Sequence, residues 1–208
     1  MNDKDISEKQ AILQSEAKKV LDALGILTFL SEFGRVEVVG SYALGLMTWR
    51  DVDIDLAVDE IREDDFFQAV RFMFGRESIK RLVLADNRNV ESDLADRGIP
   101  ASLYLGVFVA AVDGGEWKID IRFVEGGDIR TKNYLEQIKS RLTDEKRLKI
   151  LEIKDAVCLH PKYQKKEICG VDVYTSVLDD GVTDVEGFEK FLARKGIELS
   201  SDELGEMA

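Results

Sequence analysis

Histidine, cysteine and proline are scarce in this chain of 208 residues, which contains one histidine, two cysteines and two prolines. The cysteines, Cys158 and Cys169, show no CxxC spacing and have no histidine cluster beside them. This pattern favours two buried thiols in a reducing cytoplasm.

Long hydrophobic runs are also missing. No segment approaches the 18 consecutive apolar residues that would predict a membrane-spanning helix. The N-terminal segment MNDKDISEKQ is charged and lacks the apolar region of a signal peptide. We therefore expect a cytoplasmic protein without a membrane partner.

Basic residues are outnumbered, because 29 Lys and Arg stand against 41 Asp and Glu, for a formal net charge of -12. A negative field of this size repels phosphate backbones and disfavours a long nucleic acid as partner. It does not exclude a small anionic ligand that is held through a divalent metal ion.

Hydrophobic periodicity predicts an α+β protein with a mixed sheet and flanking helices. The predicted helices are 3–24, 27–33 with Gly34 as its stop, 62–75, and several after about residue 130. The predicted strands are 35–40, 51–58, 80–86, 101–112 and 117–125. A shift in composition near residue 127 predicts a core at 1–126 that includes the N-terminal helices, followed by a helical region at 127–208.

The strand predicted at 51–58 carries Asp51, Asp53 and Asp55 between apolar residues. Alternate side chains of a strand share a face, so these carboxylates point the same way. Asp120 has a similar setting in WKIDIRF. If the two strands are neighbours, three or four carboxylates converge, which is costly unless a cation neutralises them. Mg²⁺ suits such a cluster, because it binds a few carboxylates and completes its coordination with substrate phosphates.

Gly40 and Ser41 supply a complementary feature between the first two strands. A strand that ends in a small-residue turn and opens a helix exposes backbone N–H groups, which attract phosphate. The Ser41 hydroxyl adds a donor, and Gly40 lets a phosphate approach the backbone. Carboxylates that hold metal next to such a turn predict a nucleoside triphosphate site.

The same residues resemble a known family. GSYALGLMTWRDVDIDLAV is similar to the Gly-Ser, spacer, Asp-x-Asp signature of the DNA polymerase β superfamily of nucleotidyltransferases, and WKIDIRF resembles the strand that carries its third carboxylate. The matching residues are 36–58 and 117–123, and the implied core runs from about 20 to 126. The resemblance implies a mixed β-sheet nucleotidyltransferase core flanked by helices, with a helical C-terminal part and two Mg²⁺ ions.

The signature needs two carboxylates, and the sequence offers Asp51 with Asp53 or Asp53 with Asp55. We favour the first pair, because Asp51 lies nearer the start of the strand, where such sites open. Asp55 would then lie beside the ligands or face the substrate. The second pair remains the alternative register.

The resemblance implies a role for each matching residue. Asp51 and Asp53 would hold the metal that carries the triphosphate, and together with Asp120 they would hold the metal that activates the acceptor hydroxyl. Asp120 could also take the acceptor's proton as general base. Gly40 and Ser41 would hold the β- and γ-phosphates.

Two basic residues, Lys118 and Arg122, share the face of Asp120 on the predicted strand 117–125. They either contact phosphate or acceptor, or pair with nearby acids.

The predicted reaction moves a nucleoside monophosphate from a triphosphate, such as ATP, to an acceptor hydroxyl and releases pyrophosphate. The acidic chain favours a small molecule or a protein as acceptor. The resemblance implies a small stand-alone member of the superfamily, such as those that modify aminoglycoside or lincosamide antibiotics or those that nucleotidylate a partner protein in toxin–antitoxin pairs. A short tRNA end stays possible. The alternative is a non-catalytic module that binds nucleotide or a partner, for example an antitoxin, although intact Asp51, Asp53 and Asp120 argue for an enzyme.

Overall fold

The computed structural model describes residues 3–89, 101–126, 129–164 and 167–199. Five strands of this part of the chain form one mixed sheet in the order β1-β2-β5-β4-β3. The strands are β1 Arg35–Val39, β2 Asp51–Val58, β3 Ile79–Asp86, β4 Ser102–Ala110 and β5 Glu116–Glu125. β2 pairs in parallel with β5, and the other three neighbouring pairs are antiparallel.

Helices occupy much of the rest of the described chain and confirm the predicted α+β class. They are α1 Asp3–Leu24, α2 Ile26–Leu30, α3 Gly40–Leu44, α4 Glu63–Met73, α5 Ile129–Arg141, α6 Asp144–Val157, α7 Pro161–Gln164, α8 Gly170–Leu178 and α9 Val185–Arg194. Among the described residues, none of these helices is both long and apolar enough to span a bilayer.

The chain divides into two compact units. The sheet unit comprises Gln14–Leu44 and Arg50–Leu135, and the helical unit comprises the described parts of Met1–Leu13, Gly45–Trp49 and Glu136–Ala208. Two segments that precede residue 127 thus group with the C-terminal helices. Gly127 and Asp128, where the sequence predicts the boundary, lie outside the described residues.

Local contacts explain why these early segments belong to the helical unit. Leu46 and Met47 are fully buried there, and Lys154 of α6 donates a hydrogen bond to the Leu46 carbonyl oxygen at 2.7 Å. Lys9 of α1 forms an ion pair with Asp155 of α6 at 2.5 Å. The 45–49 segment therefore contributes core side chains to the helical unit, which a linear reading of the sequence does not reveal.

The sheet has two chemically different faces along β2 and β5. Val52, Ile54 and Leu56 alternate with the acidic residues of β2 and are almost completely buried. On β5, Ile121 and Phe123 are fully buried as well. This alternation leaves six charged side chains on the opposite face: Asp51, Asp53 and Asp55 of β2, and Lys118, Asp120 and Arg122 of β5.

Gly34 has a different role from the helix stop that the sequence predicts. Helix α2 ends at Leu30, with Ser31 as its C-cap, four residues before Gly34. A Cβ atom at Gly34 would lie 2.3 Å from the carbonyl oxygen of Ala57 in β2. The glycine therefore permits a close backbone approach at the start of β1, a constraint that depends on tertiary pairing and not on the helix.

Candidate active site

Three carboxylates meet on the polar face of the sheet. The parallel register of β2 and β5 places Asp53 directly opposite Asp120, and Asp51 precedes Asp53 on the same face. One carboxylate oxygen each from Asp51, Asp53 and Asp120 lie within 4.8 Å of one another. Asp120 is buried, whereas Asp51 and Asp53 are half-buried. We refer to these three residues as the carboxylate cluster.

Asp55 lies outside the carboxylate cluster, although it follows on the same face of β2. Its register partner is Arg122 of β5, whose Nε–H donates to Asp55 Oδ1 at 2.7 Å. Both side chains are largely shielded from solvent. Burial lowers the pKa of Arg122, but the charges of Asp55 and Asp53 outweigh it and raise that pKa above its ordinary value.

Lys118 is the cation on the other side of the carboxylate cluster. Its Nζ lies 2.5 Å from Asp120 Oδ2 and 3.6 Å from Asp51 Oδ1. Burial lowers the pKa of Lys118, but the charges of Asp51 and Asp120 outweigh it and the pKa is raised. Lys118 is therefore held in its charged form between two of the three carboxylates.

Tyr104 is a site residue that sequence reasoning missed. Its hydroxyl donates to Asp120 Oδ1 at 2.8 Å, so both oxygens of Asp120 accept hydrogen bonds, from Tyr104 and from Lys118. Burial, followed by the charge of Asp120, raises the pKa of Tyr104 above its ordinary value, which keeps the phenol a donor.

Gly106 makes room for this contact. It lies directly opposite Asp120, and a Cβ there would lie 2.6 Å from the Tyr104 hydroxyl. The only sequence signal is the Tyr-x-Gly spacing in β4, which acquires meaning once the register with β5 is known.

Gly40 brings backbone against the carboxylate cluster. β1 ends at Val39, and the short helix α3 begins at Gly40, as the predicted strand–turn–helix order requires. Gly40 has φ +63°, and a Cβ at this position would lie 2.2 Å from Asp53 Oδ2. Only glycine fits here without displacing the Asp53 carboxylate. Ser41 follows as the second residue of α3 and is half-buried.

The carboxylate cluster carries more negative charge than its protein partners offset. Burial and the neighbouring charge of Asp51 raise the pKa of Asp53 to about 7, although Arg122 opposes this shift. Three converging carboxylate oxygens and a raised pKa fit a divalent cation with a preference for oxygen ligands, such as Mg²⁺. The donor set contains no sulfur or nitrogen ligand, which favours a hard cation.

Comparisons with solved structures find proteins of similar fold. The Cid1 poly(U) polymerase is similar over 86% of this chain and 55% of its own, with 14% identity and a TM-score of 0.52. CdnC of E. coli MS115-1, solved with ATP, has 14% identity over 89% of this chain and 65% of its own, with a TM-score of 0.47. No protein-family model matches the sequence, and comparison with curated proteins finds no match either.

The likeness to Cid1 confirms the predicted nucleotidyltransferase fold with its mixed sheet. The chain spans about half the length of that polymerase.

The pKa of Asp53 predicts how stability depends on pH when metal is removed. Because the folded-state pKa of about 7 exceeds the ordinary value near 4, the folded protein keeps a proton that the unfolded chain has lost between these values. The contribution of Asp53 to the free energy of unfolding therefore falls as pH rises from about 4 to 7, by up to about 1.4 kcal/mol per pH unit.

Urea unfolding in EDTA at pH 5, 6 and 7 measures this effect as the difference in free energy of unfolding between the wild type and Asp53→Asn. As pH rises, we expect the wild type to lose stability relative to Asp53→Asn. A difference that does not change with pH would contradict the raised pKa.

Gly40 offers a second prediction with a matched control. Gly25 has φ +61° and no heavy atom within 4 Å of the position that a Cβ would take, whereas Gly40 has nearly the same φ and contacts Asp53. Gly25→Ala should cost about 1–2 kcal/mol of unfolding free energy through backbone strain alone. Gly40→Ala should cost more and should also weaken Mg²⁺ binding at least about tenfold, because the Asp53 carboxylate must move.

Calorimetric Mg²⁺ titration, alongside urea unfolding, compares the two variants. Equal metal affinity in Gly25→Ala and Gly40→Ala would show that the approach of Gly40 to Asp53 does not shape the site.

Proposed function

We propose that this protein is a Mg²⁺-dependent nucleotidyltransferase, which moves a nucleoside monophosphate from a nucleoside triphosphate to an acceptor hydroxyl. The observation that carries the proposal is the carboxylate cluster, with one oxygen from each member within 4.8 Å of the others. It lies against the Gly40 turn on a fold shared with a poly(U) polymerase. The fold alone does not define a reaction, so the argument rests on the site.

In this proposal the residues of the site divide the work of phosphoryl transfer. Asp51, Asp53 and Asp120 would hold two Mg²⁺ ions, which would align the substrates and offset the charge that develops during transfer. Asp120 accepts the proton of the acceptor hydroxyl, whose oxygen forms a bond to the α-phosphorus. The bond between the α-phosphorus and its bridging oxygen breaks, and pyrophosphate leaves. Gly40 and Ser41 hold its two phosphate groups.

The ion pair between Asp55 and Arg122 supports the assignment of Asp51 and Asp53 as the two-carboxylate signature. The distance from Arg122 Nε to Asp55 Oδ1 is 2.7 Å, and Asp55 is not among the residues whose oxygens converge. In this assignment Asp55 holds Arg122 near the metal ligands and does not bind metal. Arg122 in turn offsets part of the charge of Asp53.

The acceptor that we propose is a small molecule or a protein. The net charge of -12 disfavours a long polynucleotide, and a cationic small molecule such as an antibiotic suits an acidic surface. We place the reaction in the cytoplasm, with Cys158 and Cys169 as free thiols.

A transfer assay tests the proposed reaction. Each α-³²P-labelled nucleoside triphosphate is incubated with Mg²⁺ and one of three acceptor pools: cell-extract proteins, cell-extract small molecules, or short RNA. We expect the wild type to transfer label to the protein or small-molecule pool, and Asp120→Asn to lose at least about 10³-fold of this rate because a metal ligand and the base are removed together.

The same assay has outcomes that contradict the proposal. Transfer to RNA alone would overturn the acceptor assignment. Mg²⁺-dependent binding of triphosphate without transfer to any pool would favour the non-catalytic binding module. Equal transfer rates in the wild type and Asp120→Asn would show that the carboxylate cluster does not take part in the reaction.

The two registers of the signature predict opposite results for a pair of matched variants. Asp51→Asn should weaken Mg²⁺ binding at least about tenfold, because it removes a ligand. Asp55→Asn should keep metal binding within about threefold but should lower the free energy of unfolding by about 3 kcal/mol, because Arg122 loses its buried partner. Calorimetric Mg²⁺ titration and urea unfolding distinguish them, and loss of metal binding in Asp55→Asn alone would establish the Asp53 and Asp55 register.

A further inference from the structure

The ammonium group of Lys118 lies against the carboxylate cluster. It is 2.5 Å from Asp120 Oδ2 and 3.6 Å from Asp51 Oδ1, and both residues belong to the carboxylate cluster. About a third of the Lys118 side chain is exposed, so the ammonium has a route towards solvent. Lys118 supplies positive charge to Asp51 and Asp120, whereas Arg122 offsets part of the charge of Asp53.

A divalent ion that binds through Asp120 Oδ2 or Asp51 Oδ1 would compete with Lys118 for that oxygen. Mg²⁺ binds a carboxylate oxygen at about 2.0–2.1 Å, so an ammonium on that oxygen would lie only a few ångströms from the metal. Two like charges at such a distance repel strongly in a partly buried site. The Lys118 ammonium and Mg²⁺ therefore cannot both bind these oxygens of Asp51 and Asp120 well.

Tyr104 contacts the same carboxylate without this conflict. Its neutral hydroxyl donates to Asp120 Oδ1, which leaves Oδ2 for the metal once Lys118 departs. A carboxylate that ligates through one oxygen can keep a hydrogen bond on the other, and such bonds orient metal ligands. The two donors to Asp120 thus have opposite effects on metal binding.

We propose that Lys118 is the internal counter-ion of the carboxylate cluster and that metal binding displaces its ammonium from Asp120 and Asp51, while Tyr104 stays bound to Asp120. The inference rests on the proposed metal-dependent function. Lys118 stabilises the metal-free protein and lowers its affinity for metal. Tyr104 is a positioning residue that raises this affinity.

Calorimetric titration with Mg²⁺ or Mn²⁺, without nucleotide, tests the proposal on the full chain. Lys118→Gln and Lys118→Met should bind metal about tenfold more tightly than the wild type and should have lower melting temperatures in EDTA. Tyr104→Phe should bind metal several-fold more weakly. Lys118→Gln retains a neutral donor for Asp120, so it remains informative if Lys118→Met fails to fold.

Lys190→Gln is the matched control for the loss of one positive charge. Lys190 pairs with Glu186 on the exposed surface of α9, and its removal should leave metal affinity unchanged. If Lys118→Gln binds metal as tightly as the wild type or more weakly, the inference is wrong while the metal-dependent function stands. If neither the wild type nor any variant binds a divalent ion, both the inference and the proposed metal-dependent function are wrong. The transfer assay then shows whether any transferase activity remains.

Discussion

The parallel pairing of β2 with β5 is the constraint on which the site depends, because it sets Asp53 opposite Asp120. A slip of one residue would turn the carboxylates towards the apolar face. That slip is opposed by the fully buried side chains of Ile54 and Ile121, which are themselves register partners. The hydrophobic core thus enforces the geometry of a polar site that it does not touch. Burial of apolar area stabilises this register. Because side chains alternate along a strand, the same register fixes the face on which the charged residues lie.

Charge balance then decides how the carboxylates can share one face. The register pairs Asp51 with Lys118 and Asp55 with Arg122, so a cation flanks the Asp53–Asp120 pair on either side along the strands. These two cations reduce the repulsion without cancelling it. Burial first, and then the charges of Asp51 and Asp120, raise the pKa of Asp53 against the opposing charges of Arg122 and Lys118. The polar face can therefore fold and still keep the net negative charge that would attract a divalent ion in the proposed function. A face with full internal pairing would lose that attraction.

The sequence allowed much of this arrangement to be predicted, because the decisive patterns are local. DVDIDLAV and WKIDIRF alternate in a way that specifies two strands and the face of each acid, and the observed bounds of β2 agree with the predicted 51–58. The proposed preference for Asp51 over Asp55 draws further support from the positions of Lys118 and Arg122, which follow from pairing with β5. Tyr104 and Gly106 acquire their roles only through the register of β4 with β5. Non-local pairing of this kind leaves no periodic signal in a single strand.

The roles of Gly34 and Gly40 also depend on contacts between strands, which the sequence alone does not reveal. The sequence predicts that Gly34 ends a helix, yet it permits the approach of backbone to Ala57, and Gly40 permits the approach of backbone to Asp53. The two approaches occur at opposite ends of β1, so this short edge strand is held close to β2 by glycine at both ends. Gly40 is also the first residue of α3. The approach of Gly40 to Asp53 therefore sets the distance between the start of α3 and the carboxylate cluster. In the proposed function, the turn at Gly40 binds phosphate and the carboxylates bind metal, and the two need a fixed separation to act on one triphosphate. The short edge strand provides that separation, and it does so without any side chain between the turn and Asp53.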